Sequence, residues 1–285
     1  MTRAHFLNLP PRFTGARAVR ALEELRPQNG QLNILSLRDL DFIDPFGLVL
    51  AAEYLRYLKL GLQQVGLYLP TQTRVLHYLR RSRFLEFAAT MADIFPEHKL
   101  VQAPEQSEEW LLPLQPLRRE EEVPGLVVRL YSSLQELISK GSSLSTAQAS
   151  QLSSLLAEMC QNVTQHSQDL GLVVAQVYRN QQGGRVIQLA VGDLGIGLRG
   201  SLAQRYPVHE WDDTEVIRQA LARGVSSVPD EGRGLGLALV YQKSSELGGN
   251  LWLRSGGAML HAHGGRDVYS EHGFFPGIQI AMEYR

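Results

Sequence analysis

The chain has 285 residues, 44% of them apolar, which is longer than the usual single domain and enough for one large core or two ordinary ones. Its 28 basic and 29 acidic side chains give a formal net charge of −1, without the surplus of Lys and Arg that nucleic acid demands of a partner. A single cysteine, Cys160, rules out an internal disulfide and fits a reducing compartment, and no Cys/His spacing matches a structural zinc site.

The opening "MTRAHFLNLPPRF" lacks the apolar h-region of a signal peptide and no 18-residue apolar run follows, so a cytoplasmic chain without membrane spans is expected. "HFLNL", "LNILSL" and "VGLYLP" read as short strands. "ARAVRALEELR" and "PFGLVLAAEYLRYLKLG" carry apolar residues at helical spacing. Together they predict an α/β unit over residues 1–100. Asp44 before Pro45 suits a helix start, a capping carboxylate followed by the residue that loses nothing by lacking an N–H in the first turn. Residues 101–125 collect prolines and the charge run "RREEE" with neither helical nor strand periodicity, and read as a linker.

Beyond it, "LVVRLYSSLQELISK" and "STAQASQLSSLLAEMCQNVTQHS" read as helices. "GLVVAQVY" and "RVIQLAVGD" read as adjacent strands around the turn-forming "RNQQGG". The helical "GLALVYQKSSELGG" and the strands "NLWLRS" and "IQIAMEY" complete an α+β sandwich with a mixed, largely antiparallel sheet over residues 126–285. The Gly-rich "SGGAMLHAHGGRDVYSEHGFFPG" reads as a surface loop, and its His261, His263 and His272 lack the ligand arrangement of a metal site.

Three groups of residues carry chemistry. Glu158, Asn162 and His166 fall at i, i+4 and i+8 beside the apolar stripe Leu152, Leu155, Leu156, Met159 and Val163. Alone, that pattern is the solvated flank of a core helix. In "VGDLGIG", Asp193 ends a strand, a place where a carboxylate can accept from an exocyclic amine, while Gly195 and Gly197 let backbone approach a ligand. In "EGRGLGLALVYQ", Gly232, Gly234 and Gly236 alternate and lead into a helix, presenting backbone N–H groups to an anion. Neither Gly box has the strand before it and the acid after it of a dinucleotide fingerprint, and no Walker pattern occurs.

Taken in order, Glu158/Asn162/His166, Asp193-x-Gly195-x-Gly197 and Gly232-x-Gly234-x-Gly236-Leu237 resemble the three ATP-binding boxes of the GHKL superfamily, which includes gyrase B and the sensor histidine kinases. The resemblance covers residues 126–285. It implies a Bergerat fold binding ATP and Mg²⁺, with Asn162 holding the metal, Glu158 as general base and His166 near the phosphates. Asp193 would take the adenine amine, and Gly195 and Gly197 would shape the base pocket. The box Gly232, Arg233, Gly234, Leu235, Gly236, Leu237 would wrap the triphosphate. Residues 198–231 occupy the place of the mobile ATP lid, and "TEVIRQALARGVSS" looks like the lid helix of anti-sigma-factor serine kinases. Two features depart from the pattern: Gly277-Ile278 replaces the usual Gly-Thr pair, and the helix before the first box has no phosphoacceptor His.

Residues 1–100 resemble, more loosely, a STAS domain through "LNILSLRDLDFIDPFGLVLAAEYLRYLKLGLQQVGLYLP". Where phosphorylatable relatives carry Ser after the helix-opening Asp, this chain has Pro45. The two resemblances imply an ATPase or serine/threonine protein kinase in partner-switching or stress signalling. They imply a STAS or sigma-regulator type of protein partner, allow a homodimer, and make the first module a docking or sensing unit. The alternative is a non-catalytic adaptor whose partner binding follows ATP occupancy and lid position.

Overall fold

The structure, a computed structural model, describes residues 3–61, 64–96, 110–179, 183–222 and 236–285. The first half is a parallel sheet of β1 (Ala4–Asn8), β3 (Leu32–Ser36), β5 (Val65–Tyr68) and β6 (Asp93–Phe95) in the order β1-β3-β5-β6, with a two-residue ladder of β2 (Arg12–Phe13) and β4 (Phe42–Ile43). Its helices are α1 (Gly15–Glu24), α2 (Pro45–Gly61), α3 (Thr73–Arg81) and α4 (Phe84–Ala88). The second half is a five-stranded sheet in the order β10-β11-β9-β8-β7, formed by β7 (Trp110–Leu117), β8 (Gly171–Arg179), β9 (Arg185–Asp193), β10 (Asn250–His263) and β11 (Arg266–Tyr284). All four pairings are antiparallel, where a mixed sheet was expected. Its helices are α5 (Val123–Ser139), α6 (Thr146–Asn162), α7 (Gly197–Leu202), α8 (Asp213–Leu221) and α9 (Gly236–Glu246). Among the described residues no helix is long and apolar enough to cross a membrane.

Strand alternation sorts the side chains of this second sheet between two cores. Val173, Ala175, Val177, Leu189 and Val191 join the core of α5, α6, α8 and α9. Their neighbours Leu172, Val174 and Ala190 join the core of the first half, where α2 packs against β8, β9 and β11. Both faces of β8 and β9 are therefore covered, which explains their near-continuous apolar runs. α2 lies between the two sheets, and every residue from Pro45 to Arg56 is buried. A helix with no wet face needs apolar residues all round, as "PFGLVLAAEYL" supplies. Its start is capped as the sequence suggests: Gly47 N donates to Asp44 Oδ1 at 2.7 Å. Phe46 N donates across to Gln188 Oε1 on β9 at 3.1 Å, and the Phe46 ring stacks on Trp252 of β10.

Two stretches differ from their sequence reading. Residues 110–117, inside the expected linker, form the edge strand β7, paired with β8 through register shifts. Pro113 and Pro116 hide the strand pattern, and an edge is where a sheet tolerates proline. Leu114 N turns outward to Ser82 O of the first half at 2.9 Å. Residues 256–277, read as a loop, continue the β10–β11 hairpin. Their glycines serve the turn at Gly264-Gly265, where both φ angles are positive as a tight hairpin turn requires, and the irregularity around Gly256. The three histidines there make separate contacts: His261 stacks on Trp252, His263 bonds Gly249 O, and His272 bridges Glu23 of α1 and Ser270. Cys160 is in the core, where burial pushes its thiol up to about 12.

The seat of α2 on β9 is tight, since a Cβ on Gly192 would stand 2.6 Å from Val49 Cγ1. Gly192→Ala is expected to lower the unfolding free energy by about 1–3 kcal/mol in urea titrations. Val49→Ala should relieve the clash, so the pair should show strong favourable coupling in a double-mutant cycle. Additive effects would mean that α2 is not seated there.

Candidate functional site

α6 starts with a reciprocal cap: Gln148 N donates to Ser145 Oγ at 3.2 Å, and Ser145 N to Gln148 Oε1 at 2.9 Å. Leu152, Leu155, Leu156 and Met159 are buried by the sheet, which fixes the rotation of the helix and leaves Glu158 and Asn162 half-buried on its flank. Asn162 Nδ2 donates to Glu158 O at 2.8 Å, leaving Oδ1 as the oxygen available to a ligand. The helix then widens into a π-helical turn, Val163–Ser167. Such a turn holds more than four residues, so the half-buried His166 does not fall where an α-helical count from Asn162 would place it.

Asp193 ends β9 on the same side of the sheet as Val191 and Leu189, which is the side that α6 covers. It is 0% exposed. Gly195 N donates to its Oδ1 at 2.8 Å, while its Oδ2 is buried with no hydrogen-bond partner among the described residues. Burial drives the carboxyl up to about 7, against the opposing pull of the Gly195 and Ile278 N–H groups. Two glycines are obligatory around it. A Cβ on Gly195 would stand 1.9 Å from Ser167 O, and one on Gly277, at φ +78°, would stand 2.0 Å from Asp193 O. Gly277 is therefore required by its backbone conformation and its closeness to Asp193 O, whatever residue follows it. Gly197 also has a positive φ, and Leu198 N donates to Ser255 Oγ at 3.0 Å, tying this loop to β10.

Of the third box, Gly232, Arg233, Gly234 and Leu235 lie outside the described residues. Gly236 opens α9, and Leu237 is buried in the core. A methyl group on Gly236 would stand 2.8 Å from Glu158 Oε2, 3.7 Å from Asn162 Nδ2 and 4.0 Å from Asn162 Oδ1. Residue 236 thus shares one small space at the start of α9 with residues 158 and 162, more than 70 positions earlier in the chain. Burial raises the Glu158 carboxyl above its ordinary value and the positive field of Lys243 opposes it. A half-buried carboxyl for which no side-chain partner stands among the described residues is a suitable proton acceptor.

The first part of the expected lid segment is packed. Val216, Ile217 and Ala220 of α8 are buried, and Asp213 accepts from Arg199 Nε at 2.9 Å and from Gly257 N at 2.6 Å, fastening α8 to β10. Asp212 caps α8 through Glu215 N. Residues 223–235 lie outside the described residues.

Sequence reasoning missed the supports beneath Asp193. Leu194 N donates to Asp169 Oδ2 at 3.2 Å, Ile196 N to Ser167 O at 3.1 Å, and Gln279 Nε2 to Asp193 O at 2.9 Å. Asp169 is in turn held by Arg56 of α2. The available signal was the pair Glu53 and Arg56, two charges inside an apolar helix that demand buried partners.

No model of a known protein family matches this chain, and no curated protein matches it.

Asp193 shares its elevated carboxyl with Asp44, pushed up to about 7, and Glu53, pushed up to about 8, both chiefly by burial. A carboxyl raised on folding keeps its proton while the unfolded chain ionises. Its contribution is full below the ordinary value of 3.8 and is lost as pH rises through about 7. Asp193→Asn should therefore gain on the unmodified protein by roughly 2–4 kcal/mol between pH 4 and pH 8 in urea titrations. A stability difference that stays constant with pH would place Asp193 in water.

Proposed function

We propose that the chain binds Mg-ATP in the manner of the GHKL superfamily and uses it for slow hydrolysis or for phosphorylating a partner serine or threonine. The observation that carries this reading is the approach of Gly236 to Glu158 and Asn162, which joins the first and third boxes as a phosphate site requires. The buried, unpartnered Asp193 Oδ2 supports it from the second box, since an exocyclic amine would satisfy that oxygen. The donor set suits the metal: Asn162 Oδ1 is a neutral hard oxygen of the kind Mg²⁺ takes alongside phosphates and water. When bound, Mg²⁺ would neutralise charge on the phosphates.

Within this reading Glu158 accepts a proton from water or a hydroxyl held near the start of α9, and its half-buried position keeps it basic enough. Asn162 holds its amide in place through the Glu158 carbonyl. Asp193 selects the base, and Gly195 and Gly277 let the backbone of residues 167 and 193 pack closely around that carboxyl.

Residues 1–96 support a STAS-like reading through their parallel sheet and the helix that begins at Asp44-Pro45. The start of α2, where a phosphorylatable relative carries Ser, is buried against β9 and β10. With Pro45 in place of a hydroxyl and the helix start buried, phosphate at that position does not switch the module.

Mg-ATP at 100 times its Kd should raise the thermal midpoint by roughly 5 °C or more, and Asp193→Asn should abolish that rise; an equal rise in the variant would sink the site. Glu158→Gln should leave Mg-ATP affinity within about threefold while cutting phosphate release, or label transfer to a partner, by about 10²–10⁴-fold. Unchanged turnover in that variant would remove Glu158 as the base, and Mg-ATP binding by the unmodified protein without any turnover would leave a binding adaptor.

A further inference from the structure

We infer that Arg56, from the first half of the chain, is a positioning residue for base recognition by Asp193, acting through Asp169 and the Leu194 N–H. This rests on the adenine reading of Asp193.

Arg56 is 6% exposed on a helix that both sheets cover. Its Nη2 donates to both Asp169 oxygens at 2.9 and 2.8 Å, and its Nη1 to Leu170 O at 3.0 Å. Glu53, one turn earlier, accepts from the same Nη1. Nη2 thus holds both oxygens of Asp169 while Nη1 holds the next residue's carbonyl, so the planar guanidinium fixes the carboxylate and its backbone together. Asp169 is also held locally: its N–H donates to Ser167 Oγ at 3.1 Å, and Ser167 Oγ donates to Asp169 O at 3.0 Å. Its Oδ2 then receives Leu194 N.

That last bond reaches the nucleotide side. Leu194 lies between Asp193 and Gly195, whose own N–H donates to Asp193 Oδ1. Ser167, on the far side of Asp169, accepts Ile196 N through its carbonyl. Residues 194 and 196 are thus pinned to the 167–169 turn, and the Asp193–Gly195 bend takes its shape from that anchorage. Without Arg56, Asp169 would lose its only charged donor among the described residues and be free to turn to solvent, to which its side chain is already 27% exposed. The Leu194 N–H would then lose its acceptor, and the direction of Asp193 Oδ2 its constraint.

The test compares full-length protein, Arg56→Lys, Asp169→Asn and the double variant by calorimetry with Mg-ATP, Mg-GTP and Mg-tripolyphosphate. Arg56→Lys keeps the charge and loses the planar pair of nitrogens that hold Asp169 and Leu170 O at once. Asp169→Asn, at a partly exposed site, asks the same question should Arg56→Lys fold poorly. Expected are about a tenfold weaker Mg-ATP affinity in each single variant, no further loss in the double variant, and a matching fall in the preference for ATP over GTP. Mg-tripolyphosphate affinity should stay within twofold. Equal weakening of all three ligands, additive losses, or an unchanged ATP preference would overturn the positioning role. Failure of the unmodified protein to prefer Mg-ATP over Mg-tripolyphosphate would overturn the adenine reading itself, and the inference with it.

Discussion

The enclosure of α2 between a parallel and an antiparallel sheet constrains most of the molecule. A helix without a wet face cannot shed its charges into solvent, so Glu53 pairs with Arg56 one turn on, and Arg56 reaches out to Asp169, at the turn leading into β8. The same enclosure explains why both faces of β8 and β9 are apolar and why Gly192, with no side chain, is where the helix comes nearest. The two halves, with unlike sheet topologies, therefore share a core. Buried polar contacts such as Phe46 N to Gln188 Oε1 and Tyr78 OH to Gln176 Oε1 fix their relative orientation.

The candidate site occupies the other face of the same sheet. Because successive side chains on β9 alternate, Gly192 meets α2 while Asp193 faces the side covered by α6, the helix that carries Glu158 and Asn162. A carboxyl at 0% exposure with one oxygen unpartnered costs the fold stability at neutral pH, and such costs gather at functional positions. The widening of α6 into a π-helical turn beside Gly195 is a second irregularity in the same place.

Most elements were legible because periodicity records burial. The 3.6-residue pattern of α5 and α6 and the apolar runs of β8 and β9 follow directly from which faces are covered. Strand β7 was hidden because prolines signal irregular chain unless the strand is known to be an edge, and that is a property of the assembled sheet. The hairpin over residues 256–277 was hidden because its glycines mark a turn and an irregularity within strands, not a loop between them. In the site, motif order pointed to Glu158, Asn162 and Asp193. The closeness of Gly236 to Glu158 is a distance that no local pattern contains. Arg56 and Asp169 are 113 residues apart, and only the anomaly of charge in an apolar helix hinted at them.

Strand β7 bears on how the protein meets others. The outer rim of a sheet is a ready template for a strand from another molecule, and it is dangerous when its donors and acceptors are regularly spaced. Here two prolines delete donors, register shifts break the spacing, and Ser82 O of the first half already occupies the Leu114 N–H. That rim is closed to strand exchange, so a partner or a second copy that approaches from this side must recognise side chains and shape, and cannot extend the sheet.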